Sequence, residues 1–326
     1  MALRLAALAF AVVAAMGASL LVGGAPIAPH VVFGAAFHPL TGSDVATIVW
    51  QLRIPRICIA AAVGIALAIA GALLQGMLRN PLVDPYLTGV SAGAAAAIAL
   101  ATLAGIATPL LPALGFVTGL GTAVLVAALA RRGSGIDANR LILAGISLSA
   151  LFSAIVAFAI ARAQSADYAQ QILAWLAGSL ASRTWRDLAF TAPYLALGLG
   201  LSAFAVPALN ALRVGDTRAR SVGVDVARAQ WIILAASSLL AAASVALAGI
   251  IGFVGLIVPH VARRIVGSDA RMLLPASALC GAALTIAADA VARTIVAPSE
   301  LPIGVLLAFI GVPAFLYLYL RLEQRA

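Results

Sequence analysis

The chain contains no lysine; all twenty of its basic residues are arginine. A P-loop, G-x-x-x-x-G-K-[ST], is therefore excluded, because its lysine is the group that reaches the β- and γ-phosphates. Any ATP that drives this protein is hydrolysed by another chain. Charge of either sign is scarce, at 10% of 326 residues, where soluble domains carry about 25%. The two cysteines, Cys58 and Cys280, stand in apolar runs and read as small core hydrophobes. His30, His38 and His260 are scattered, with no cysteine or carboxylate at ligand spacing, so no metal centre is expected. Ser91 and Ser147 lack a nearby base, which removes nucleophilic catalysis.

What is present is apolar sequence, 64% of the chain with mean hydropathy +1.12. This composition is that of a polytopic membrane protein, with no water-soluble domain visible. The run 5–22 suits an uncleaved first helix better than a signal peptide. Further spans are expected at 57–78, 89–107, 116–130, 141–161, 188–208, 273–288 and 301–320. Residues 25–56 read as a polar connection, 79–85 as a double-proline turn, and 162–187 as an interfacial helix plus loop. Residues 229–262 hold 34 positions without a charge. That is too long for one span of about 20 residues and barely enough for two. Gly249, Gly252 and Gly255, three apart, would bare one helical face, and Pro259 would stop the run before His260, Arg263 and Arg264. A full span followed by a loosened half-span is expected there, of a kind tolerated only where protein or a cavity covers it. The competing reading is a small-residue packing face.

Ten crossings put both termini on one side. That side then holds 14 arginines (Arg321 and Arg325 included) against 6 acids, and the other 6 against 5. The positive-inside rule places both termini in the cytoplasm. The net charge of +9 is thus a topological signal, not a nucleic-acid one. The spans carry no Asp, Glu, Lys or Arg at mid-membrane, and an ion-coupled carrier usually keeps one there. Asp289 and Arg293, four apart, suit a local ion pair or a docking role equally. Residues 210–228, with Arg213, Asp216, Arg218, Ala219, Arg220 and Gly223, suggest short helices joined by a glycine turn, able to lie in a groove of another protein.

Several long strings then carry a resemblance: RIPR (53–56), GALLQGMLRNPLVDPYLTGVSAGA (71–94), RLILAG (140–145), ARSVGV (219–224), ALAGIIGFVGLIVPHVAR (246–263), RMLLPA (271–276), ADAVAR (288–293) and ELPIGV (300–305). In this order they resemble the FecCD family of ABC-importer permeases, which serves cobalamin, haem and ferric siderophores. The resemblance implies an all-α, type II ABC importer permease of about ten transmembrane helices, with 1–326 a single permease domain. It would lie in the bacterial inner membrane as a homodimer, with two cytoplasmic ATPase subunits that bind the ATP and a periplasmic or lipid-anchored binding protein. No cofactor of its own is implied. By the same resemblance Arg53, Arg56 and Arg293 would face outward and pair with glutamates of the binding protein. Residues 210–228 would be the coupling segment on the ATPase. The family's gate, a pair of small hydroxyl residues, falls here on Ala138 and Asn139, a departure from the pattern. The expected activity is ATP-driven import of a metal chelate by alternating access at the dimer interface. A secondary carrier driven by an ion gradient is the alternative.

Overall fold

Small aliphatic residues in hydrocarbon must satisfy their own backbone groups, and helix is the local way to do it. The computed structural model describes residues 2–23, 27–37, 43–133, 135–163, 165–296 and 299–323. His38 and Arg325 lie outside these residues, as does the side chain of Arg321. The helices are α1 (Ala2–Leu21), α2 (Pro29–Phe37), α3 (Asp44–Thr47), α4 (Ile54–Leu78), α5 (Val90–Leu103), α6 (Leu111–Ala130), α7 (Ala138–Ala161) and α8 (Ala166–Leu176). They continue with α9 (Trp185–Phe204), α10 (Val206–Leu212), α11 (Asp216–Ser221), α12 (Val226–Ala248), α13 (Val254–Val266), α14 (Ala270–Ala292) and α15 (Ile303–Glu323). A two-residue hairpin, with Arg131 opposite Ile136, joins α6 to α7.

Each of the ten expected crossings carries a helix: α1, α4, α5, α6, α7, α9, α12, α13, α14 and α15. Among the described residues seven helical stretches are long and apolar enough to cross a membrane. The 14 residues of α5 and 13 of α13 span only about 20 Å at 1.5 Å per residue, short of a full crossing.

The expected polar connection at 25–56 is largely helical instead. α3 continues through a π-turn, Ile48–Arg53, into α4, giving 35 residues of helix. The wider turn lets the Ile54 N–H reach the Val49 carbonyl just before Pro55, so the proline is absorbed without a break. Trp50 secures this stretch by donating to the Ala35 carbonyl at 3.2 Å.

α4 and α12 form the centre, with 78% and 83% of their apolar windows buried. α7, at 17%, presents most of its surface outward. α4 and α14 pack at backbone distance, since a Cβ on Gly64 or Gly281 would collide with the other's carbonyl. Thr285 Oγ1 locks the crossing by donating to the Ala60 carbonyl at 2.7 Å.

Candidate functional site

Three regions concentrate irregular backbone or charge. The first is the break between α12 and α13. α12 ends at Ala248, Gly249 turns left-handed at φ 71°, and Phe253 opens α13 with φ 68°. Left-handed backbone at a phenylalanine is uncommon. Facing the break is the turn after α4, where Arg79 is also left-handed, at φ 52°. Its backbone is held by Asn80 Oδ1, which accepts the Leu82 N–H, and Asp84 Oδ1, which accepts the Tyr86 N–H, both at 2.9 Å. The two segments meet where the Ile251 N–H donates to the Tyr86 hydroxyl at 3.2 Å.

Gln75, 3% exposed on α4, ties them together. Its Nε2 donates to the carbonyls of Val83, Gly255 and Leu256 at 3.1–3.2 Å, and its Oε1 accepts from Arg263 at 2.5 Å. Pro259 explains the free Gly255 carbonyl, since it lacks the N–H that would bond four residues back. This corrects two expectations. Pro259 does not stop the helix but lies inside α13, which continues to Val266. Gly249, Gly252 and Gly255 do not share a helical face, because the first two lie in the break. Each has a separate place: a Cβ on Gly249 would strike the Trp175 carbonyl, one on Gly255 would overlap the Pro85 ring, and Gly252 has open space. Beside the break a cavity of about 440 Å³ opens between α5 and α7, lined by Tyr86, Ser91, Ser149, Phe152 and Ile250 among others.

The second region is the end of the bundle where α1 and α14 finish. Arg53, Arg56 and Arg293 meet here, with Arg53 and Arg293 interior and Arg56 half-buried. Arg53 and Arg293 are 4% and 5% exposed. Arg293 donates to the Ser19 hydroxyl at 2.6 Å and pairs with Asp289 at 3.2 Å; Arg53 donates to the Leu20 carbonyl at 2.8 Å. Arg56 bridges Asp289 and Glu300, each at 2.9 Å. α1 closes over two of the three arginines, and acids 233 and 244 residues away engage the third. Arg183 joins this cluster, and its orientation was not legible in the chain order. Burial holds its guanidinium below its usual pKa, with Asp187 opposing. Its buried Nε has no partner among the described residues. Arg53, Arg56, Arg183, Arg293 and Glu300 border one cavity of about 480 Å³.

The third region is the opposite end, where 210–228 folds as the end of α10, then α11, then the start of α12. Gly215 (φ 113°) and Gly223 (φ 83°) bracket α11. Ala219 is its buried anchor, while Arg218 and Arg220 are exposed. Asp216 pairs with Arg79 at 3.3 Å, and Arg213 stands at the C-terminus of α10. Ala138 and Asn139 open α7, capped by Asp137, which accepts the Arg140 N–H at 3.0 Å. That bond holds the Asp137 carboxyl below its usual range. Asp137, Asp216, Arg220 and Gln230 line one cavity of about 170 Å³, so the start of α7 and α11 adjoin.

The FecCD transport family profile matches residues 10–321 of this chain. The chain is 39% identical over 286 residues to the hemin transport system permease protein HmuU of Yersinia pestis, covering 85% of each. It is 40% identical over 280 residues to the cobalamin import system permease protein BtuC of Halobacterium salinarum, covering 86% of this chain and 75% of that one. A solved structure described as an inward-facing conformation of a metal-chelate type ABC transporter superposes with TM-score 0.87 at 32% identity, over 98% of this chain and 100% of that one.

Proposed function

The chain belongs to the FecCD transport family, and from that footing we propose that it works as the homodimeric permease of an ATP-driven importer whose cargo is a ferric siderophore, haem or cobalamin. Permeases of metal-chelate type ABC importers are transport components rather than enzymes. The observation that carries the reading is the likeness to the metal-chelate type transporter along essentially the whole chain. The missing P-loop supports a separate ATPase, as does α11, a short helix carrying exposed arginines between two glycine turns.

The same reading gives each region a task. In our proposal 210–228 takes the ATPase stroke, with Arg213, Asp216, Arg218, Ala219, Arg220 and Gly223 forming the contact, and both termini lie on its side, the cytoplasm. The cavity shared with the start of α7 would pass the stroke to Ala138 and Asn139 at the gate. Gln75 would hold α13 to α4, so that the two move together beside the break. At the outer end the cavity of Arg53, Arg56, Arg183 and Arg293 would receive a carboxylate of the binding protein. Arg183 is the best donor there, because its Nε is buried without a partner among the described residues. Arg56 and Arg293 are already held by Asp289 and Glu300.

The test is uptake of labelled haem, cobalamin or ferric siderophore into proteoliposomes with the partner ATPase and binding protein. A hydrolysis-dead ATPase should abolish uptake and an ionophore should leave it intact. Uptake that survives the dead ATPase and falls with the ionophore would transfer the protein to the gradient-driven carriers.

A further inference from the structure

At the end of the bundle that carries α11, a cavity of about 260 Å³ is lined by Gln75, Gly76, Arg79, Pro81, Arg213 and Arg263. Three guanidiniums border it and no carboxylate lines it. Arg79 is engaged on the rim by Asp216 at 3.3 Å. Arg263 is held only by the neutral amide of Gln75, and among the described residues neither it nor Arg213 makes a salt bridge. Asp269, the acid that acts on Arg213, makes no salt bridge with it among the described residues; its Oδ1 accepts the Asn210 amide at 2.8 Å and the Arg271 N–H at 2.9 Å. Burial holds the Arg213 guanidinium below its usual pKa, with Asp269 opposing, and it stays charged at neutral pH. Arg213 and Arg263, neither in a salt bridge, face one recess and repel each other, and an oxyanion between them turns that repulsion into charge-assisted bonds.

We infer that this cavity is a binding site for a phosphate-class oxyanion, the phosphate of an anionic phospholipid headgroup or free inorganic phosphate. Its three arginines come from the turn after α4, from the end of α10 and from α13. A bound anion therefore joins the coupling segment to the half-helix that follows the break. Basic pockets between membrane helices are known headgroup sites in general. The inference stands on the three arginines and is independent of the cargo.

The full chain, purified in detergent, is heated with inorganic phosphate and, at matched ionic strength, with chloride. In parallel, lipid phosphorus retained after extraction is measured from vesicles of phosphatidylcholine with and without phosphatidylglycerol. We expect phosphate to raise Tm, or phosphatidylglycerol to be retained; the first result assigns the free anion, the second the lipid. Arg213→Gln and Arg263→Gln should each weaken the effect at least about tenfold, while Arg140→Gln, at the start of α7, should not. The Arg213 side chain makes no hydrogen bond or salt bridge among the described residues, so its variant tests the site even if loss of the Arg263–Gln75 bond disturbs the fold. Equal responses in wild type and Arg213→Gln overturn the inference. It also fails if neither anion source acts on the wild type.

Discussion

A single buried carboxylate organises the end of the bundle where α1 and α14 finish. Asp289 is 1% exposed and serves both Arg56 and Arg293. Removing one partner of a buried ion pair leaves an uncompensated charge, which costs about 3–5 kcal/mol. Asp289→Asn should lower stability by that order, read by denaturation in detergent, and an unchanged midpoint would mean that water reaches the arginines. Arg183 tests docking more cleanly than the arginines that sequence resemblance singled out, because reversing Arg56 also breaks the bonds to Asp289 and Glu300. Arg183→Gln should weaken binding-protein association chiefly at low salt. Association indifferent to this change at every salt concentration would exclude Arg183 from docking. The same scale separates two glycines: Gly255→Leu should abolish folding or transport, while Gly252→Leu should be tolerated, since only the first faces the Pro85 ring.

Elements matter where they are interrupted. α13 follows a break and contains Pro259, and Gln75 supplies the donor that the proline withholds. Gln75→Leu should cost about 2 kcal/mol by stranding buried carbonyls. Adding Pro259→Ala should return part of that loss, because a backbone N–H then becomes available to the Gly255 carbonyl. Strict additivity of the two changes would show that Gln75 and Pro259 are not coupled. After α11, Gly223 sits at φ 83° with open space for a side chain. Gly223→Ala should therefore cost about 1–2 kcal/mol through backbone strain alone, and should reduce uptake per ATP hydrolysed. A variant with full coupling would show that the turn is not needed in its present form.

For the whole molecule, helix caps at the α11 end set one pH limit. Backbone N–H groups, from Arg140 and Arg271 respectively, hold Asp137 and Asp269 below the usual carboxylate range. Depressed carboxylates contribute stability that is complete above their unfolded pKa and is lost as pH falls through the folded value. Lowering pH from 7 to 5 should accordingly leave this end intact, with loss beginning only in stronger acid. Amide exchange at the starts of α7 and α14 would show it, and early opening near pH 6 would contradict the capping.

The sequence by itself determined that the chain is helical, where its long apolar helices fall, that it holds no P-loop, and that 210–228 forms short helices between glycines. These features follow from span length, backbone satisfaction in hydrocarbon and local residue type, all of which act over a few turns of chain. Only the tertiary structure decided that Arg53 and Arg293 are interior and that Pro259 is inside a helix. It also decided that Arg79, Arg213 and Arg263 share one recess. Each of these rests on partners far away in the chain, such as Arg56 with Asp289 at a separation of 233 residues and Gln75 with Gly255 at 180. Burial and pairing depend on which helices pack together, and spacing along one helix carries no record of that choice.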